Sequence, residues 1–338
     1  MKGLQTKYKE LLDKILQLLW REWSSLGVAG KKNYMNPQHH VIDPESLLLF
    51  SFSLCRFDPR LFDEIIDWLN INGEFINIQR LINIQTKFFF ESGPQISAVA
   101  EILSQKKEYR LKWKKLASLY KNIDERKLFI TPEGKKIPVK NPDPFFLEKG
   151  LARNRIKLRG YSAEFSRTGS ESLLLRMRAL FGINSRAEII TILGSVPEIY
   201  PAELSRLTGY EKRSVQSVLL ELSKSGILEI RSDEREKYYR LSTGSMEGLL
   251  PVSYKWINFT PFYKGLEILV SGIQNSLNQN DLLILSSDLR RYSKEAGRFL
   301  NNSSSGIFLS DSTRYPGEKY FGIFIDDIER VISFLDKI

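Results

Sequence analysis

The stretch from Ser185 to Leu241 constrains this chain most, because proline and glycine cut a run of apolar-periodic segments at regular points. Ser185, with Glu188 three residues on, reads as a capping box that opens a helix through Ile189, Ile190, Ile192 and Leu193. After Pro197, Pro201 to Thr208 is a short helix closed by Gly209, and Tyr210 to Ser225 is a longer one closed by Gly226. Ile227 to Arg231 then alternates as a strand, residues 232–236 form a charged tip, and Lys237 to Leu241 returns as the partner strand. Leu173, Leu174, Met177 and Leu180 supply a lead-in helix. Helices this short are unstable alone, so they must bury their apolar faces against one another and the hairpin.

This order resembles the winged helix-turn-helix of MarR-like and ArsR-like transcriptional regulators over about residues 170–245. The matching features are Ala202 to Gly209, a recognition-like helix with Val215, Val218, Leu219 and Leu222, then Lys224 to Glu229, and the return Tyr239, Arg240, Leu241. The resemblance implies a DNA-binding unit acting as a homodimer on two half-sites. Metal sensing of the ArsR type needs clustered thiolates or histidines. Cys55 is the sole thiol, and His39 and His40 the sole histidines, placed together in a polar loop. No metal or other cofactor is expected.

Helical geometry supports the same reading independently. With residues 215, 218, 219 and 222 facing the core, Lys212, Arg213, Gln216 and Ser217 point outward near the helix start. Arg reads guanine and Gln reads adenine through paired hydrogen bonds in the major groove, so these four are the base-reading candidates. Arg206, and Arg231, Arg235 and Lys237 on the wing, are candidates for phosphate contacts, joined by Lys157 and Arg159 from a basic segment upstream. Glu211, Asp233, Glu234 and Glu236 would repel phosphates at this surface, and they favour an alternative in which the unit docks a protein partner as a non-catalytic scaffold.

The net charge of +10 is not spread evenly: Lys106 to Arg159 holds 17 basic and 6 acidic residues, a net +11, and leaves the remainder near neutral. Such a concentration suits a polyanion partner, since neutralising phosphates releases counterions, and it equally suits a solvated helix followed by a linker. The chain therefore divides into an N-terminal helical domain (1–123), a basic connector (124–169), the winged helix-turn-helix (170–250) and a C-terminal α+β domain (251–338), mainly α with small β elements overall. In the first, an amphipathic helix runs from Lys7 to Ser25, and Asp43-Pro44 and Asp58-Pro59 each start a helix. Residues 61–87 contain a second possible helix-turn-helix, and one helix continues from Gln95 into the basic stretch. In the last, Gly306 to Leu309 and Tyr320 to Ile325 read as strands before a closing helix from Asp326.

Phosphate-binding glycine loops, nucleophile elbows and His-Glu-x-x-His are all missing from the sequence, and with its two histidines in one spot His-based acid and base chemistry is nearly excluded. A non-enzymatic role is expected, with a nucleic-acid-processing enzyme as a distant alternative. Asp63, Glu64 and Asp67 on one helix, and Asp326 and Asp327 on another, read as helix-dipole partners. Trp256, Phe259, Phe262 and Tyr263 read as core, with a small-molecule effector pocket as the other possibility. The apolar run from Leu47 to Cys55 is too short to span a membrane. A cytoplasmic DNA-binding regulator of double-stranded DNA is the resulting expectation.

Overall fold

Tyr8, Leu11, Leu12, Ile15, Leu19 and Trp23 recur at helical spacing and are all buried along α1 (Lys2–Ser25), which starts five residues before the expected Lys7, with Leu4 joining the buried stripe. A computed structural model describes residues 2–30, 40–120, 125–233, 236–303 and 305–337. His39, Glu234 and Arg235 lie outside the described residues. After β1 (His40–Val41), the Asp-Pro pairs act as N-terminal caps. The Asp43 carboxylate accepts from the Ser46 N–H at 3.2 Å and that of Asp58 from the Leu61 N–H at 3.0 Å, opening α2 (Pro44–Leu54) and α3 (Pro59–Asn72). A single 3-10 turn separates α3 from α4 (Ile78–Phe88), capped by Asn77.

The helix expected to continue from Gln95 into the basic stretch is instead two, α5 (Gly93–Ser104) and α6 (Arg110–Ala117). The break lets Trp113 and Leu116 turn inward while Lys114 and Lys115 stay exposed. Residues 125–169 contain β2 (Arg126–Lys127), the single turn α7 (Pro144–Leu147) and β3 (Leu151–Ala152), with β2 and β3 paired in parallel. This segment is fastened to the N-terminal helices. The Arg153 guanidinium lies over the rings of Phe62, Phe129 and Phe146 and forks onto Asp63 at 2.6 and 3.1 Å.

The next region follows the sequence closely: α8 (Leu173–Phe181), α9 (Ser185–Leu193), α10 (Pro201–Thr208), α11 (Lys212–Lys224), then β4 (Leu228–Ser232) paired antiparallel with β5 (Lys237–Leu241). Ile199 adds a third strand position, exchanging two 3.0 Å backbone bonds with Tyr239. The expected capping box does not form. Asn184 caps α9, accepting from the Arg186 N–H, while Glu188 is buried against Arg178. A buried guanidinium outcompetes an exposed backbone N–H for that carboxylate.

β6 (Lys255–Trp256) pairs in parallel with β1 and leads into α12 (Phe259–Ser276), α13 (Leu282–Leu300) and α14 (Lys319–Leu335). The C-terminal α+β expectation is thereby corrected. Residues 306–309 form no strand, and 320–325 belong to α14. A six-residue window with five aromatic and β-branched side chains reads as a strand, but Tyr320, Phe324, Ile328, Val331 and Leu335 bury one continuous helical stripe.

The chain is mainly helical with a few short strands, and its buried side chains gather in two cores. One joins α1 to α6 with α12 to α14, so that Phe50 stacks on Tyr263 at 4.7 Å and α14 packs along α1. Phe259, Phe262 and Tyr263 are thus core side chains. The second core is built from α8 to α11 and the hairpin.

Candidate nucleic-acid interface

Gly209 ends α10 in the left-handed region, at φ +77°, and redirects the chain into α11 within a few residues. Val215, Val218, Leu219 and Leu222 face the second core, and Lys212, Arg213, Gln216 and Ser217 are exposed on the opposite side. The structure thus brings the four base-reading candidates onto one helix face. Lys212 and Arg213 form no ion pair among the described residues, while the Ser217 hydroxyl lies 3.5 Å from Glu221. Arg206, on α10, is exposed and within 3.6 Å of Glu203.

The hairpin is less simply cationic than its sequence suggests. Arg231 forks onto Glu198 at 2.5 and 2.8 Å and lies over the Tyr238 ring, and Arg240 pairs across the strands with Glu229. Glu198 stands outside the hairpin, just before the Ile199 strand, so sequence proximity did not reveal it. Its carboxyl is held low by the hydrogen bond from Arg231. Lys237 remains exposed at the start of β5. Arg235, the other wing candidate, is outside the described residues.

A buried network fixes the turn between α10 and α11. Arg80 on α4 donates through Nε to the Thr208 carbonyl at 2.9 Å, and Asn77 donates to the Tyr210 hydroxyl at 2.7 Å. Arg80 also forks onto Asp43 at 2.6 and 2.5 Å and reaches Glu45 at 2.7 Å. Arg178 on α8 in turn bonds both oxygens of Glu45, at 2.6 and 2.7 Å, and Glu188 at 2.5 Å. All five charged groups are buried. Burial opposes ionisation of Asp43, but the Arg80 charge and its hydrogen bonds hold the carboxyl below its ordinary range. The sequence signal for this network is the Asp43 and Glu45 pair at a helix start, which alone says nothing of a partner on α8.

The basic segment upstream divides between two places. α6, with Arg110, Lys112, Lys114 and Lys115, packs on α4, where Lys115 Nζ lies 3.4 Å from Gln79, two residues past Asn77. Lys157 and Arg159 are exposed along α3, in a cavity to which no residue of α9, α10, α11 or the hairpin contributes. Lys149 and Arg153 are buried and so are withdrawn from any surface role.

Three other expectations change. His40 is not on a polar surface loop: it is buried in β1 with its ring nitrogen 3.3 Å from Glu22. Asp63 and Asp67 lie beyond the first turn of α3, where Asp63 holds Arg153 and Asp67 accepts the N–H groups of Gly160, Tyr161 and Ser162 at 3.0 to 3.1 Å. Asp327 lies mid-way along α14 and accepts from the Ser310 N–H and hydroxyl at 2.9 and 2.7 Å, so these acids serve tertiary bonds and not helix dipoles.

No protein-family model, no curated protein and no solved structure matches this chain. No helix among the described residues is long and apolar enough to cross a membrane.

Proposed function

We propose that residues 170–245 are a winged helix that binds duplex DNA, with α11 entering the major groove and the hairpin lying beside it, and that the protein is a transcriptional regulator acting as a homodimer. The observation that carries this reading is the exposed face of α11, where Lys212, Arg213 and Gln216 stand outward over the first two turns. The basic helix α6 packs against α4, which itself grips the α10–α11 turn, and its lysines so near that turn support the reading. Phosphate contacts then fall to Arg206 and Lys237, with Arg231 available only by exchanging Glu198 for phosphate.

Fluorescence anisotropy with fragmented genomic duplex DNA at low and moderate salt tests the reading. Binding should weaken steeply with salt, and Arg213→Ala or Gln216→Ala should each cost about 1–3 kcal/mol on the preferred sequence. Absent binding at low salt, or affinity indifferent to both variants, overturns it.

A second reading, a non-catalytic scaffold whose winged helix docks a protein, is favoured by the carboxylates that neutralise Arg231 and Arg240 and by the outward Leu220 and Ile230. A stoichiometric complex that survives nuclease and is lost on Leu220→Glu distinguishes it.

A further inference from the structure

The cavity of about 350 Å³ along α3 combines an anion-attracting rim with an unsatisfied acceptor at its wall. Arg60 projects from the first turn of α3, and Arg155, Lys157 and Arg159 from the strand-like segment opposite it. All four are exposed, and none makes an ion pair among the described residues. Of the three carboxylates lining the same cavity, two are already committed: Asp63 to the Arg153 fork and Asp67 to three backbone N–H groups.

The third is different. Glu64 is only 4% exposed, and its Oε2 has no hydrogen-bond partner. A buried acceptor left unpaired is costly, and most such groups in folded proteins find a donor. The volume lies within the range of about 300–1,000 Å³ usual for small-molecule sites. An isolated inorganic anion would answer the cations but is too small to fill that space and reach Glu64 at the same time. A ligand with both an anionic group and a hydroxyl meets both requirements.

We propose that this cavity binds a small phosphorylated sugar, either free or as part of a nucleotide, its phosphate held by Arg155, Lys157 and Arg159 and a hydroxyl donated to Glu64. The site stands apart from α11, so it neither requires the DNA-binding reading nor follows from it.

Titration calorimetry on the full chain, without DNA, tests this with inorganic phosphate, ribose, ribose 5-phosphate, AMP and GMP as probes. Ribose 5-phosphate or a nucleoside monophosphate should bind one to one, about ten-fold or more tighter than phosphate or ribose alone. Tight binding of AMP or GMP only assigns a nucleotide; equal binding of ribose 5-phosphate assigns the sugar phosphate. Arg155→Ala with Lys157→Ala, both at exposed positions, should weaken binding about ten-fold or more, and Glu64→Met should remove the advantage over inorganic phosphate. Circular dichroism of each variant separates lost binding from lost folding, and the exposed pair keeps the test open should Glu64→Met unfold. No saturable binding by any probe, or binding unchanged in the folded variants, overturns the proposal. So does loss of duplex DNA affinity in the exposed pair with no small-ligand binding, which would assign these cations to DNA.

Discussion

Glu64 and Glu188 show what a residue's neighbours add to its identity. Both are glutamates within helices, yet Glu188 is bonded to Arg178 and Glu64 keeps a buried oxygen without a partner. Burial pushes the Glu64 carboxyl above its ordinary value, partly offset by Arg159. A group raised on folding contributes its full stability below its unfolded value and loses that contribution as pH rises through the folded one. Glu64→Gln, neutral throughout, should therefore match the native protein near pH 4 and exceed it at neutral pH, by about 1–2 °C in Tm. Thermal melts across pH 4–8 decide this, and a difference independent of pH counts against it. None of this was legible in the sequence, where Asp63, Glu64 and Asp67 looked like equivalent helical acids. The partners of Asp63 and Asp67 arrive from Arg153 and from Gly160 to Ser162, about ninety residues downstream.

Elements were more legible than residues wherever the signal was local. Asp43-Pro44, Asp58-Pro59, Gly209 and Gly226 each mark a boundary through a bond or dihedral formed within a few residues, and the structure places helix ends at all four. The failures have the same physical origin. Residues 320–325 are rich in strand-forming side chains, but their conformation is decided by a stripe extending to Leu335 and by packing on α1 and α13. Gly209 offers a clean test of the local rule, since a Cβ there meets nothing within 4 Å and only its positive φ resists substitution. Gly209→Ala should cost about 1–2 kcal/mol of stability by urea titration. Because the turn sets the course of α11, the DNA affinity proposed for that helix should fall further than the stability loss alone explains. A variant as stable as the native chain would mean that the left-handed turn does not constrain this connection.

At the scale of the whole molecule, the two cores meet at the buried charges of Asp43, Glu45, Arg80, Arg178 and Glu188, and α8 contributes Leu175 to one core and Leu174 to the other. Three carboxylates and two guanidiniums withdrawn from water tolerate no lost partner, since breaking a buried pair commonly costs about 3–5 kcal/mol. This joint is expected to couple the recognition-like turn and the N-terminal helices into one cooperative unit while Asp43 is charged. Asp43 is depressed on folding, so its contribution is present above the unfolded value of about 3.9 and is lost as pH falls through the lower folded one. Calorimetry should accordingly show one unfolding transition at pH 7 and two once the pH has fallen well below 4, the α8–α11 core separating from the larger one. Asp43→Asn retains an N-capping side chain for α2 but removes the charge facing Arg80, and it should bring the second transition to neutral pH. Two transitions in the native chain at pH 7, or a single one throughout in the variant, would show that apolar contacts through α8, and not this charge network, carry the coupling on which the placement of α11 depends.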